Sequence, residues 1–221
     1  MFTLDATLTH LAIISWTVPA GRLAALLPAQ ATAKLKLQTV DDAGEYALVS
    51  LACLFDRTIW QTYAQLNERV YVTRQDGTGP GAFFWISRAD TWQANFFRTI
   101  LGIPEYRERL QLSVRGARYI FSREGREIVE LDLATTPRSP ADGERLAAIG
   151  LNPLIGYTLD RAGLDSTKVI HTTIERRDVR VVAADASFMK AAPLIGKNEP
   201  VVAWYVPLTP FNIDLPPRLV P

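Results

Sequence analysis

NERVYVTRQDGTGPGAFFWISR, residues 67–88, contains two strand-like runs on either side of a short loop. β-branched and aromatic residues are frequent in both runs, NERVYVTR and GAFFWISR, as is typical of strands. Between them, Asp76 and Gly77 provide the residue type that tolerates the positive φ of a tight hairpin turn. The stretch therefore predicts an antiparallel hairpin.

Strand-like runs continue on both sides of this hairpin. AKLKLQTV (33–40) and EYALVSLACLF (45–55) flank the turn DDAG, and SREGRE (122–127) joins a further pair. Helix-like runs are few and short, for example at 19–27 and 91–101. The pattern predicts a β-rich α+β fold with a few short outer helices.

The number of predicted strands limits the possible architectures. About ten strands in one chain must protect their edges, and a closed or nearly closed antiparallel β-barrel does this better than an open sheet. A β-sandwich is the alternative. The 221 residues show no fixed repeat and no low-complexity linker, so we expect one domain over residues 1–221.

Composition argues against several partners. The 24 basic and 23 acidic residues are interleaved and the net charge is +1, so we expect no binding to nucleic acid or to an anionic membrane surface. Nowhere do about 18 apolar residues run together, and the N-terminus lacks the pattern of an export signal. Cys53 is the only cysteine, so no intrachain disulfide is possible and a cytoplasmic location is expected.

Motifs for metal or nucleophile chemistry are missing. His10 and His171 lie far apart and outside any metal-binding spacing, so we expect neither a metal nor another cofactor. His171 is interpreted either as a hydrogen-bonded strand residue or as a group that faces a cavity. No G-x-S-x-G motif is present, and Cys53 lies in an apolar run typical of a buried strand.

Five short motifs occur in a recognisable order along the chain: LAIISW (11–16), LLP (26–28), LNERVYV (66–72), LGIP (101–104) and SFMKAAPLIG (187–196). This order resembles the acetoacetate decarboxylase-like superfamily, nearest to its uncharacterised bacterial branch, over residues 11–206. The resemblance implies a closed, conical β-barrel with helices outside, a cavity for a small molecule inside, and assembly into homo-oligomers.

The resemblance also identifies a missing catalytic group. In the decarboxylases two adjacent lysines stand before the LGIP-like turn, and one of them forms a Schiff base with the substrate. Here those positions are Thr99 and Ile100, which cannot form an imine. The preceding Arg98 is always protonated and does not replace a nucleophilic lysine. The covalent decarboxylation of the family is therefore not expected.

Other family positions are matched in part. The resemblance places the family's strand acid at Ser50 and its substrate-holding arginine near Thr9 or His10. It retains one acid, Glu68, which is implied to project into an apolar interior. Desolvation there raises a carboxyl pKa, by up to roughly 3–5 units, which suits a general acid or base. The alternative is that Glu68 is a solvated strand residue beside Arg69.

Further candidates for substrate binding surround LGIP. Trp85 and Phe97 belong to an aromatic-rich region that either lines a pocket or packs in the core. Arg98 either binds a carboxylate in the cavity or pairs with Glu105 or Glu108 on the surface.

Lys190 is the one lysine with two interpretations. It is either a desolvated nucleophile near the mouth of the barrel or a solvated helix residue whose aliphatic stem packs on the surface.

Two hypotheses for function remain. In the first, the barrel binds a small keto acid or polyketide-like molecule, and Glu68 moves protons in lyase, aldol, dehydration or cyclisation chemistry without a Schiff base. In the second, the protein is a non-catalytic small-ligand-binding or structural barrel protein. The loss of the lysine pair favours the second hypothesis more than the fold alone would suggest.

Overall fold

The computed structural model describes residues 2–58, 61–94, 105–153, 155–159, 163–171, 174–215 and 218–220. Strands dominate these residues and the helices are short, so the predicted β-rich α+β class is confirmed. No helix in these ranges combines the length and the apolarity needed to cross a membrane.

Seven strands form the centre of an eleven-stranded sheet. They are β1 (Phe2–Pro19), β3 (Tyr46–Thr58), β4 (Thr62–Arg74), β5 (Gly81–Ala89), β10 (Ile155–Leu159), β11 (Leu164–His171) and β14 (Val202–Leu215). Their paired order is β14, β1, β3, β4, β5, β10, β11, and β11 also pairs with β14. All these pairs are antiparallel except the parallel contact between β5 and β10.

Shorter strands extend this sheet and build a second one. β2 (Leu35–Leu37) pairs with β4, β6 (Glu105–Arg107) with β5, β12 (Arg177–Asp178) with β14, and β15 (Arg218–Leu219) with β11. The second sheet has four strands, β7 (Leu110–Arg115), β8 (Arg118–Arg123), β9 (Arg126–Asp132) and β13 (Arg180–Ala184).

The helices of the described residues are α1 (Ala20–Ala24), α2 (Ala29–Thr32), α3 (Gly143–Leu151) and α4 (Ala192–Ile195). α1 confirms the helix expected within 19–27. Most of the helix expected at 91–101 lies outside the described residues.

The predicted hairpin is confirmed as β4 and β5, with Gly77 at a φ of +84° in the turn. One irregularity interrupts its register, because Glu68 lies opposite Ile86 while Arg69 lies opposite Phe84. Trp85 is the extra residue of this β-bulge. A bulge shifts which side chains share a face, and this one re-aims β5 next to the cavity described below.

The central strands are apolar on both faces. On β3, Ala52 and Leu54 belong to one buried cluster, whereas Leu51 and Cys53 belong to a larger one that includes Tyr119 of the second sheet. Strands that are buried on both faces read as continuous apolar runs, as EYALVSLACLF does. The second sheet and the cavity therefore lie on opposite faces of the central strands.

Candidate functional site

A cavity of about 210 Å³ lies against the central strands. Each of the seven strands contributes to its lining, together with residues that end and follow α3. A single water needs only about 10–15 Å³ of such space, so the cavity has room for an organic molecule. Its walls are mostly apolar side chains, such as Leu11, Leu54 and Phe84, with a small number of polar groups among them. This composition is typical of small-molecule sites.

β4 supplies three of the polar groups. Gln65, Asn67 and Arg69 all line the cavity. Side chains two residues apart share one face of a strand, so the alternation of β4 places the three in a row. We call this side of the central strands the cavity face, and the other side the outer face.

Arg69 is a buried cation held by neutral partners. It is 9% exposed, its Nε donates to the Tyr71 hydroxyl at 3.1 Å, and its Nη2 donates to the Gly150 carbonyl at 3.1 Å. None of the ion pairs among the described residues involves Arg69. Because a buried charge is costly without a partner, this guanidinium favours an anion in the cavity.

Ser50 supports Arg69 indirectly. The Tyr71 hydroxyl lies 3.1 Å from Ser50 Oγ and 3.1 Å from the Gly150 carbonyl oxygen, and Ser50 Oγ lies 2.7 Å from Ser15 Oγ. Ser50 is fully buried and is not among the residues that line the cavity. It holds Tyr71, which in turn accepts a hydrogen bond from Arg69.

Asp56 is a carboxyl group with incomplete hydrogen bonding. It is 6% exposed and lines the cavity, and its Oδ2 accepts a hydrogen bond from the Tyr63 hydroxyl at 3.1 Å. Its Oδ1 has no hydrogen-bond partner among the described residues. Burial raises the pKa of Asp56 to about 7; the Tyr63 hydrogen bond opposes this rise and the charge of Glu105 adds to it.

Glu105 of β6 lies close enough to influence Asp56. Its Oε1 accepts hydrogen bonds from Gln65 Nε2 at 2.7 Å and from Ser87 Oγ at 3.4 Å. Burial raises the pKa of Glu105, and these two hydrogen bonds lower it. The charge of Glu105 therefore adds to the effect of burial in disfavouring the ionised form of Asp56.

Arg69 and Asp56 mark two ends of one cavity. In the pairing of β3 with β4, Asp56 lies opposite Tyr63, which is six residues from Arg69. At about 3.3 Å per residue, the backbones of the two groups are roughly 20 Å apart along the strand. Asn67, which is 8% exposed and whose Oδ1 also lacks a partner among the described residues, lies between them.

Glu68 lies on the outer face, so its predicted projection into the cavity is wrong. It is 2% exposed; its Oε2 accepts from the Lys190 backbone N–H at 2.9 Å and its Oε1 from the Ala191 backbone N–H at 3.1 Å. Burial raises its pKa, while these N–H groups lower it. The reason for the error is strand alternation, because Glu68 stands between Asn67 and Arg69. Its acid–base role remains an untested prediction.

Two further predicted residues also lie away from the cavity lining. Trp85 packs against the larger cluster of the outer face, with the Lys190 ammonium 5.5 Å from its ring centroid. His10 has Nδ1 2.6 Å from the Tyr205 hydroxyl and stacks on the Tyr205 ring. The structure therefore does not bring Trp85, His10 and Ser50 together around the cavity.

The remaining predictions concern four residues outside the described ranges, and also His171 and metal binding. Phe97, Arg98, Thr99 and Ile100 lie outside the described residues. His171 lines the cavity, as one of its two interpretations held. Within the described ranges, no group of three or more His, Cys, Asp or Glu side chains is arranged to hold a metal ion.

Sequence reasoning missed Asp56, Asn67 and Arg69. Asp56 ends the run LVSLACLFD, and a carboxylate directly after a stretch in which seven of eight residues are apolar is a signal for a buried acid. Asn67 and Arg69 lie two residues apart on one strand and therefore share a face. The predicted site residue was Glu68, which lies between them and points to the other face.

Solved structures share this architecture. The acetoacetate decarboxylase of Legionella pneumophila matches with a TM-score of 0.61 and 14% sequence identity, over 98% of this chain and 87% of that chain. An acetoacetate decarboxylase-like enzyme from Sphingomonas wittichii matches with a TM-score of 0.60 and 15% identity, over 97% and 92%. The enduracididine biosynthesis enzyme MppR, complexed with pyruvate, matches with a TM-score of 0.56 and 12% identity, over 98% and 89%. The chain thus has the acetoacetate decarboxylase-like fold.

The chain belongs to the DUF2071 family, a family described as an uncharacterized conserved protein, whose model matches residues 5–208. No curated protein matches the sequence. The predicted resemblance is confirmed to this extent: the fold is acetoacetate decarboxylase-like and the family is an uncharacterised one.

Proposed function

We propose that this protein binds an organic carboxylate in the cavity through Arg69, and that Asp56 transfers protons to or from the bound molecule without a Schiff base. In this proposal the pairing of β11 with both β10 and β14 closes the central strands into a conical barrel around the site. The ligand is a keto acid or a polyketide-like molecule. We also propose that the protein assembles into homo-oligomers and is located in the cytoplasm.

The observation that carries the proposal is the buried guanidinium of Arg69. Its planar donors match a carboxylate, and hydrogen bonds to charged groups contribute about 1.5–3 kcal/mol each. Tyr71 and the Gly150 carbonyl fix the orientation of the guanidinium before any ligand arrives. An anion that enters the cavity therefore meets a preorganised partner.

Asp56 supports the catalytic part of the proposal. A carboxyl group with a pKa of about 7 populates both protonation states near neutral pH, which suits a general acid or base. A ligand long enough to reach from Arg69 to Asp56 would undergo enolisation or related proton transfers at a carbonyl group far from its carboxylate, in keeping with lyase or cyclisation chemistry. MppR, which shares the fold, was solved in complex with pyruvate.

A ligand-binding protein without catalysis is the alternative function. Thr99 and Ile100 stand where the decarboxylases have their lysine pair, and this substitution favours binding alone. Borohydride treatment in the presence of acetoacetate should give no covalent adduct by intact-protein mass. An adduct at Lys190 or at any other lysine would overturn the claim that the Schiff base has been lost.

Calorimetric titration of acetoacetate and octanoate tests the binding. We expect at least one of them to bind, and Arg69→Met to weaken that binding about 10- to 100-fold, the equivalent of about 1.5–3 kcal/mol. Arg57→Gln is the control, since Arg57 is an exposed arginine of the adjacent strand β3 and its loss should change the affinity less than twofold. No binding to the wild type, or equal binding to Arg69→Met, would overturn the proposal.

A further inference from the structure

Two residues of the cavity wall, Asp56 and Asn67, each have one buried side-chain oxygen that lacks a partner within the described residues. Asp56 Oδ1 and Asn67 Oδ1 are both buried without a hydrogen-bond partner among the described residues, and both residues line the cavity. Buried acceptors in native proteins are nearly always paired, so each exception calls for a specific explanation. Asn67 Oδ1 and the ionised form of Asp56 accept hydrogen bonds, so a ligand that satisfies both must carry donors.

Two other buried carboxylates, those of Glu68 and Glu105, accept hydrogen bonds from the protein. Both oxygens of Glu68 accept backbone N–H groups, and Glu105 Oε1 accepts two side-chain donors. For Glu68 and Glu105 the protein itself therefore supplies hydrogen-bond donors. The oxygen it leaves unpaired on Asp56 belongs to a residue of the cavity wall.

The distance between Arg69 and Asp56 sets the size of the ligand. Six residues of β4 separate Arg69 from Tyr63, the residue opposite Asp56, which corresponds to roughly 20 Å along the strand. The walls of the cavity are largely apolar, for example at Leu54, Phe84 and Val169. A short oxo acid held by Arg69 would leave the region around Asp56 unoccupied.

We infer that the cavity takes a hydroxylated carboxylate of medium chain length, with its carboxylate on Arg69, its carbon chain along the apolar wall, and a hydroxyl that donates to Asp56 Oδ1. This inference rests on the proposed function, because Arg69 must hold the carboxylate. Asn67 is the middle residue of the row Gln65, Asn67 and Arg69, and its Oδ1 accepts a second hydrogen bond where the ligand carries another donor. A site built to bind a hydroxyl discriminates against the analogue without it, since that analogue leaves the buried oxygen unpaired.

Three probes test the inference by titration at pH 8, where Asp56 is mostly ionised: butyrate, decanoate and ω-hydroxydecanoate. We expect decanoate to bind more tightly than butyrate, because its chain buries more apolar surface. We expect ω-hydroxydecanoate to bind about tenfold more tightly than decanoate, and Arg69→Met to weaken both.

A double variant isolates the hydroxyl contact. Asp56→Leu combined with Tyr63→Phe removes both partners of one buried hydrogen bond, and replacing both by apolar groups of similar shape is close to neutral for folding. The preference for ω-hydroxydecanoate should disappear in the double variant. Tyr63→Phe alone is the control and should keep the preference, because Asp56 Oδ1 is still present.

The outcomes separate this inference from the proposed function. If decanoate and ω-hydroxydecanoate bind equally well and both depend on Arg69, or if butyrate binds best, the inference is overturned while carboxylate binding stands. If the hydroxyl preference is found but Arg69→Met has no effect, the proposed role of Arg69 fails and the Asp56 contact stands. If no probe binds, both are overturned.

Discussion

The two faces of β4 use buried charge in opposite ways. On the outer face, both carboxylate oxygens of Glu68 accept backbone N–H groups from the segment before α4. On the cavity face, the partners of Arg69 among the described residues are neutral, and none of these residues pairs with Oδ1 of Asp56 on the neighbouring strand. A buried charge whose bonding is complete stabilises the fold, whereas one whose bonding is incomplete points to a ligand.

Arginines show the same contrast. Arg88 lies opposite Leu66 on β4, a residue of the outer-face cluster, and its Nη1 is 2.6 Å from Glu108 Oε1. Arg123 of the second sheet also contacts Glu108, at 2.8 Å. Within the described part of the chain, the charge of Arg88 is therefore compensated by a carboxylate, and that of Arg69 is not. Arg69 is thus the more buried of these two arginines of adjacent strands and the one without a carboxylate partner among the described residues, as expected if it binds an anionic ligand.

The largest expected effect of these differences is on the pH dependence of the unfolding free energy, through Asp56. Burial raises the pKa of Asp56 from 3.8 to about 7, so the folded protein binds this proton more tightly than the unfolded chain does. The resulting stabilisation is complete below pH 3.8 and is lost as the pH rises through 7. Asp56→Asn should thus match the wild type near pH 4 and exceed its unfolding free energy at pH 8 by on the order of 4 kcal/mol. Urea unfolding at several pH values measures the difference.

A control of opposite sign is available in the turn between β4 and β5. Hydrogen bonds from Thr78 lower the pKa of Asp76, so its contribution is present above the ordinary pKa and is lost as the pH falls. Asp76→Asn should be less stable than the wild type at neutral pH and equal to it in acid. Parallel stability curves for Asp56→Asn and the wild type from pH 4 to pH 8 would show that Asp56 is not desolvated.

Removing Glu68 should cost stability and leave binding intact. Glu68→Ala deprives two buried backbone N–H groups of their acceptor, which we expect to lower the unfolding free energy by about 3 kcal/mol. Affinity for the carboxylate probes should change less than twofold. The exposed Glu127 of β9 is the control, since Glu127→Ala should change stability by less than about 0.5 kcal/mol. A Glu68→Ala protein of normal stability that loses turnover would instead establish the predicted catalytic role.

A smaller effect should follow from Gly150→Ala, which tests the support of Arg69. An added Cβ would come within 2.5 Å of Trp204 Cζ3, and overpacking of this kind costs about 2 kcal/mol. The Gly150 carbonyl accepts from Arg69, so we expect the carboxylate affinity to fall a few-fold as well. Thermal unfolding and titration measure the two effects. Gly21→Ala is the control, because nothing lies within 4 Å of its added Cβ. An unchanged carboxylate affinity in Gly150→Ala would show that Gly150 does not support the binding site.

The sequence predicted the strands better than the direction of their side chains. Period-two patterning shows that Asn67 and Arg69 share a face and that Glu68 lies on the other. It does not show which face holds the cavity, because Leu51 and Cys53 are as apolar as Ala52 and Leu54. The β-rich class was therefore predictable from local pattern and the acetoacetate decarboxylase-like fold from the order of five motifs, whereas the site was not.

Long-range contacts account for the rest of the site. The environment of Asp56 depends on Tyr63 across the sheet and on Glu105, which is 49 residues further along the chain. The bulge at Trp85 depends on how β4 and β5 pair, and no turn residue within GAFFWISR signals it. Pairing partners of this kind are set by the packed structure and not by neighbours in sequence.

A crystal structure of the protein grown with decanoate tests the central claim most directly, namely that the cavity face and not the outer face holds the ligand. We predict a carboxylate about 3 Å from the Arg69 guanidinium, with the carbon chain running along β4 toward Asp56. Decanoate bound instead beside Glu68 and Lys190, with the cavity unoccupied, would contradict the account.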